Sequence, residues 1–153
     1  MGGVFVRRDI QDAIFAAAPK NAPELFHGNT YAGAPVAAAA GLAAFEIYER
    51  EGLLTRAAGP LGRYWEDALH SLRDLPQLID IRNFGLLGAV TLAPDARHPG
   101  SAGVPVHNRC WEHGLLCRAV GDNLVMSPPL VISEREIDRF VERLRKSIQD
   151  VYG

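Results

Sequence analysis

The sequence is poor in cysteine, with only Cys110 and Cys117, and in lysine, with only Lys20 and Lys146; it also has no excess of either charge, 16 basic residues standing against 18 acidic ones. Each shortage excludes something. Two cysteines in 153 residues cannot build a disulfide framework, so reduced thiols are expected. A nucleic-acid surface needs clustered Lys and Arg, and here acidic residues are interspersed with basic ones, so no polyanion partner is expected. Long apolar runs are missing too. The longest charge-free stretch, Leu25 to Phe45, holds His27, Asn29, Thr30 and several glycines and is otherwise mostly alanine, which is too polar to span a bilayer. The start, MGGVFVRRDI, lacks the basic-then-apolar order of a secretory signal, and the expected location is the cytoplasm. There is no internal repeat, no CxxC pair, no GxSxG elbow, and no GxGxxG or P-loop pattern.

What is present is a chain of 48% hydrophobic and 22% charged residues, the composition of a globular protein long enough to bury a core. Val4 to Val6 suits a short strand, and it follows Met1 and two glycines with no lead-in, as in a chain entered midway. Helices are expected from Asp9 to Ala18 and, after the loop that Pro19 and Pro23 enforce, from Val36 to Arg50, with Pro35 opening the second. The Ala and Gly content of that second helix predicts close packing and burial. Leu53 to Leu75 carries Leu54, Ala58, Leu61, Trp65, Ala68, Leu72 and Leu75 on one helical face, interrupted at Gly59 and Pro60, where a break is expected.

After Pro76 the period becomes that of strands. Leu78 to Arg82 and Leu86 to Leu92 predict one hairpin, and a second, around Gly121 to Asn123, joins Leu115 to Val120 with Leu124 to Ser127. A helix from Val104 to His113 lies between the two hairpins. Ser133 and Glu136 form a capping box for a last helix whose stripe is Ile137, Val141, Leu144, Ile148 and Val151. The order implies an α/β or α+β fold with a small antiparallel sheet covered by helices.

Three constellations could carry chemistry. His107, Cys110, His113 and Cys117 are soft ligands at short spacing, but Gly114 should end the helix before Cys117, and no metal is expected. Thr30 sits in the glycine-flanked loop HGNTYAG before a helix, where a hydroxyl beside free backbone amides suits a phosphate and equally suits a simple turn cap. Arg118 interrupts the apolar strand LLCRAVG. Its guanidinium fork could hold a carboxylate, or it could point to water from an edge strand.

Taken together, HGNTYAGAP (His27 to Pro35) with YEREGLL behind it, IRNFGLLGAV (Ile81 to Val90) and GLLCRAVGDNLVMSPPLVI (Gly114 to Ile132) resemble the class III (ω-) aminotransferases, most closely the β-alanine:pyruvate type. The order and spacing match across nearly all of the chain. The resemblance implies part of a pyridoxal-phosphate-dependent transferase of fold type I: residues 1–60 as the C-terminal end of the large cofactor-binding domain, and 61–153 as the small C-terminal α+β domain. It implies a homodimeric enzyme that moves an amino group from an amine or ω-amino acid to a keto acid such as pyruvate. Thr30 would reach the cofactor phosphate, usually across the subunit boundary, and Arg118 would bind the substrate carboxylate. The pattern departs at Ala34, where the family has His or Asn, and at the Gly59–Pro60 interruption.

The family's Schiff-base lysine, its pyridine-partnering aspartate and its ring-stacking aromatic precede the part matched here. Neither Lys20, in the loop PKNAP, nor Lys146, on the last helix, has that lysine's context. Without it the cofactor cannot be used normally, so this chain alone is expected to be inactive. The competing reading is a non-catalytic binding or scaffold domain derived from the same fold.

Overall fold

The structure, a computed structural model, describes residues 2, 4–21 and 30–153. The chain divides into two compact units, Met1–Ile47 and Tyr48–Gly153.

The first unit holds helix α1 (Arg8–Ala17) and the larger part of α2 (Pro35–Arg50), with Pro35 at the first helical position and a turn ahead of it in which Gly33 takes φ 71°. Both helices fall where the apolar spacing puts them. Two expectations fail here. Residues 4–7 form no strand, and Phe5 is fully exposed: a β-prone triplet needs a neighbouring strand to hydrogen-bond, and none lies beside it among the described residues. No residue of α2 is buried, because small side chains permit close packing but do not supply the partner face.

The second unit carries the core. Its helices are α3 (Leu53–Ala58), α4 (Pro60–His70), followed by a 3-10 turn (Ser71–Asp74), α5 (Gly103–Glu112) and α6 (Glu134–Tyr152). Gly59 and Pro60 do break the helical pattern, with Pro60 opening α4. The strands β1 (Leu78–Phe84), β2 (Leu87–Leu92), β3 (Arg118–Val120) and β4 (Asn123–Met126) form one antiparallel sheet in the order β1-β2-β4-β3. The first hairpin turns at Gly85 and Leu86, later than expected, with Gly85 at φ 54°. Both hairpins form, the second with β3 shorter than the expected Leu115 to Val120, and the β2–β4 pairing joins them into one sheet.

One face of the sheet is dry. Gly88, Val90 and Leu92 of β2, with Leu124 and Met126 of β4, meet Trp65, Leu69 and Leu72 below α4, Val106 and Cys110 of α5, and Ile137, Leu144 and Ile148 of α6. Trp65 stands edge-on to Phe140 with ring centroids 5.3 Å apart. Leu54, expected on the buried face, is 61% exposed because the break at Gly59 decouples α3 from the stripe of α4. The capping box at Ser133 and Glu136 forms on both sides and starts α6.

Guanidinium groups tie the loops to this core. Arg56 of α3 donates to the carbonyls of Leu130 (2.7 Å) and Ile132 (2.6 Å), which fixes the path of the segment after SPPL. Arg143 of α6 donates to the Gly114 carbonyl at 2.9 Å, and Arg145 binds Asp74 and the Ser71 carbonyl, both at 2.7 Å. No helix among the described residues is long and apolar enough to cross a membrane.

Candidate functional site on the open face of the sheet

Period-two alternation sends the other half of each strand to the uncovered face. The register aligns these residues in two cross-strand rows. One runs Arg118, Val125, Ala89, Arg82, and the next Val120, Asn123, Thr91, Asp80. Arg118 therefore stands at one edge of the face and Arg82 at the other, with two apolar side chains between them.

The two arginines differ in their surroundings. Arg82 is committed: it contacts Asp80 Oδ2 at 2.5 Å, Thr91 Oγ1 at 2.8 Å and Asn123 Oδ1 at 2.9 Å, and Thr91 in turn donates to Asn123 at 2.7 Å. Arg118 is exposed and, among the described residues, has neither a hydrogen-bond nor an ion-pair partner. Leu116, Val120 and Val125 around it are exposed apolar residues. A guanidinium with unused donors beside apolar surface can hold a carboxylate through two parallel hydrogen bonds, and the apolar neighbours strengthen that pair once water is displaced. Next to it, Arg82, Asn83, Phe84, Leu87, Ala89 and Val125 line an open hollow of about 310 Å³.

Thr30 lies in the other unit. It opens the exposed turn 30–33, in which Ala34 N–H bonds to the Tyr31 carbonyl at 3.4 Å and Gly33 supplies the left-handed residue before α2. His27, Gly28 and Asn29 of the same motif lie outside the described residues. Lys20 and Lys146 are both exposed, the first in a turn and the second on α6.

The soft-ligand residues sort themselves differently from their spacing. His113 Nε2 faces Asp150 Oδ2 at 2.9 Å. The turn at Gly114 brings Cys117 back onto α5, where its sulfur stands 3.9 Å from His107 Nδ1. Among the described residues no group of three or more His, Cys, Asp and Glu is placed to hold a metal ion.

Sequence reasoning missed the Arg82 cluster and the approach of Cys117 to His107. The alternation Asp80, Arg82, Phe84 was a signal for an outward face, but Thr91 and Asn123 join it only through the strand register.

The family model for class III aminotransferases matches residues 2–148. The chain belongs to the class III aminotransferases. It is 43% identical over 151 residues to an omega-aminotransferase of Caulobacter vibrioides and 35% identical over 152 residues to a beta-alanine–pyruvate aminotransferase of Pseudomonas aeruginosa, covering 98% and 99% of this chain. It spans 34% of the length of each of these class III relatives. Among solved structures, a thermostable omega transaminase mutant from Pseudomonas jessenii aligns with a TM-score of 0.75 at 36% identity, over 82% of this chain and 29% of that one. The omega transaminase of the same organism in complex with PMP aligns with a TM-score of 0.74 at 36% identity, again over 82% of this chain and 29% of that one. The fold is thus that of the omega transaminases in the part this chain covers.

Proposed function

We propose that this chain is the C-terminal portion of a pyridoxal-phosphate-dependent ω-aminotransferase, in which Arg118 holds the carboxylate of the amino donor or keto acid and Thr30 contacts the cofactor phosphate. The observation that carries the reading is Arg118: a guanidinium with no partner among the described residues, on an open, partly apolar sheet face, in a class III chain. Residues 1–60 are the end of the large domain in this reading, and 61–153 the small domain.

The residues described here fit the cofactor in part. The Thr30 turn offers a hydroxyl next to a helix N-terminus, where backbone N–H groups favour an anion. Pyridoxal phosphate, when bound, supplies the electron sink that lets an amino group leave one carbon skeleton and enter another. Lys20, in a turn, and Lys146, on α6, are both exposed, and in this reading the group that carries the cofactor belongs to another segment or chain. The role left to this chain is binding and orientation. Arg118 fixes the carboxylate end of the substrate, the apolar residues beside it exclude water, and Arg82, held by Asp80, Thr91 and Asn123, keeps the far end of the face rigid. A homodimer, with Thr30 serving the neighbouring subunit, completes the proposal.

The test has two arms. Mixed with pyridoxal phosphate, an amine and pyruvate, the chain alone should make no alanine, whereas joined to the preceding two-thirds of a class III relative it should. In that complete enzyme Arg118→Ala should lower kcat/KM for carboxylate-bearing substrates by about 10- to 100-fold, the value of a lost charged hydrogen-bond pair, and leave simple amines nearly unchanged. Turnover by the chain alone, or equal losses for both substrate classes, refutes the assignment.

A further inference from the structure

We propose that the hollow between α6, the turn at Gly114 and the segment after SPPL is a binding site for a small amphipathic monocarboxylate, an apolar body with one carboxylate head. The inference uses only the second unit and stands apart from the aminotransferase reading.

The hollow has a volume of about 410 Å³ and opens to solvent. That volume lies in the range of small-molecule sites, roughly 300–1,000 Å³. Its apolar lining comes from Leu115 ahead of β3, from Pro129, Val131 and Ile132 after β4, and from Phe140 of α6. Leu115 and Ile132 are buried while Val131 is 60% exposed, so an apolar group can enter from solvent and meet the edge of the core without any opening of the fold. Helical spacing supplies the polar side. Glu136, Phe140 and Arg143 stand at i, i+4 and i+7 on α6, and Arg139 lies one turn before Arg143, so two guanidiniums border the hollow on successive turns.

The walls are held before any ligand arrives. Arg143 donates through Nη1 to the Gly114 carbonyl at 2.9 Å, and Gly114 itself takes the left-handed φ of 69°. Arg56 fixes the opposite wall through the Leu130 and Ile132 carbonyls, and Phe140 is set edge-on against Trp65. A site ordered in advance loses less freedom on binding.

The charges select the ligand. Among the described residues the other N–H donors of the half-buried Arg143 make no bond, and the exposed Arg139 has neither a hydrogen-bond nor an ion-pair partner. Glu136 is the one carboxylate that lines the hollow, and its Oε2 already accepts the Ser133 N–H at 2.8 Å and the Ser133 hydroxyl at 2.7 Å. Two cations against one engaged anion suit a single carboxylate, held by parallel N–H···O bonds, whereas a dianion would also be repelled by Glu136. The apolar lining gains from an aryl or acyl body and gains nothing from an inorganic ion.

The experiment titrates the whole chain, labelled with nitrogen-15, with 4-phenylbutyrate while amide shifts are followed by NMR. Saturable shifts are expected at Gly114, Leu115, Phe140 and Arg143, with a Kd on the order of 1 mM. The neutral 4-phenylbutanol and the variant Arg139→Gln should each show binding weaker by about fivefold or more, the loss of a charged contact. Arg143→Gln also frees the Gly114 turn, so Arg139→Gln is the deciding variant. Arg118→Gln should leave the affinity unchanged, which separates this hollow from the carboxylate site proposed on the open sheet face. No saturable shift, shifts centred on Arg118 and Val125, equal binding of the alcohol, or an unchanged Kd in Arg139→Gln overturns the proposal. Shifts at the same amides that follow protein concentration without ligand assign the hollow to a second copy of the chain and overturn it as well.

Discussion

Replacing Gly88 with alanine probes how tightly the sheet is seated on α4. An added Cβ would lie 2.6 Å from Leu69 Cδ1, 3.0 Å from Trp65 Nε1 and 3.1 Å from Trp65 Cζ2. Both neighbours are fully buried, so neither can turn outward. The Leu69 methyl is a flexible tip, whereas the Trp65 indole is also held edge-on by Phe140. Overpacking of this kind costs about 1–3 kcal/mol, and the reduced freedom of the unfolded chain returns about 0.4–1 kcal/mol. The net expectation is a loss of about 1–2 kcal/mol, read as a fall of about 0.5–1 M in the urea midpoint. Trp65 fluorescence reports the transition, since Trp111 is 68% exposed and changes little. The decisive comparison is Leu69→Ala, which alone should cost about 2–5 kcal/mol. In the double variant the new methyl enters the vacated space, so the combined loss should fall short of the sum by about 1 kcal/mol. A neutral Gly88→Ala, or strict additivity, would refute the close contact.

Arg56→Met removes the only charged donor to the Leu130 and Ile132 carbonyls among the described contacts; a loss of about 2–3 kcal/mol and faster amide exchange in residues 127–132 are expected. Arg82→Met breaks the exposed cluster with Asp80, Thr91 and Asn123. Stability should change by less than about 1 kcal/mol in thermal melts, since such pairs are solvent-screened. For Glu136, the Ser133 N–H, then the Ser133 hydroxyl, holds the carboxyl below the ordinary carboxylate range. Its folded-state pKa being the lower one, the cap contributes fully above an unfolded value of about 4.3 and fades as pH falls through the folded value. Glu136→Gln should therefore flatten the acid limb of a stability-against-pH curve, and an unchanged limb would count against the cap.

The sequence by itself determined the features that rest on short-range chemistry. The capping box at Ser133 and Glu136, the stripe from Ile137 to Ile148 and the break at Gly59–Pro60 depend on residues a few positions apart and appear where the pattern put them, and the two hairpins form with ends shifted by two or three residues. The family was legible too, because its motifs are local strings in a fixed order. Tertiary structure decided whatever needed a partner distant in the chain. Among the described residues Val4 to Val6 has the composition of a strand but no neighbour to pair with, and α2 has the composition of a packed helix but no buried residue. Spacing alone separated Cys117 from the helix of His107, and the left-handed turn at Gly114 brought its sulfur within 3.9 Å of His107 Nδ1. Composition could not tell whether Arg118 faced solvent or the core. The β3–β4–β2 register placed it on the open face, with no partner among the described residues, because a strand's alternation sets two sides and only the packing of α4, α5 and α6 selects which is dry.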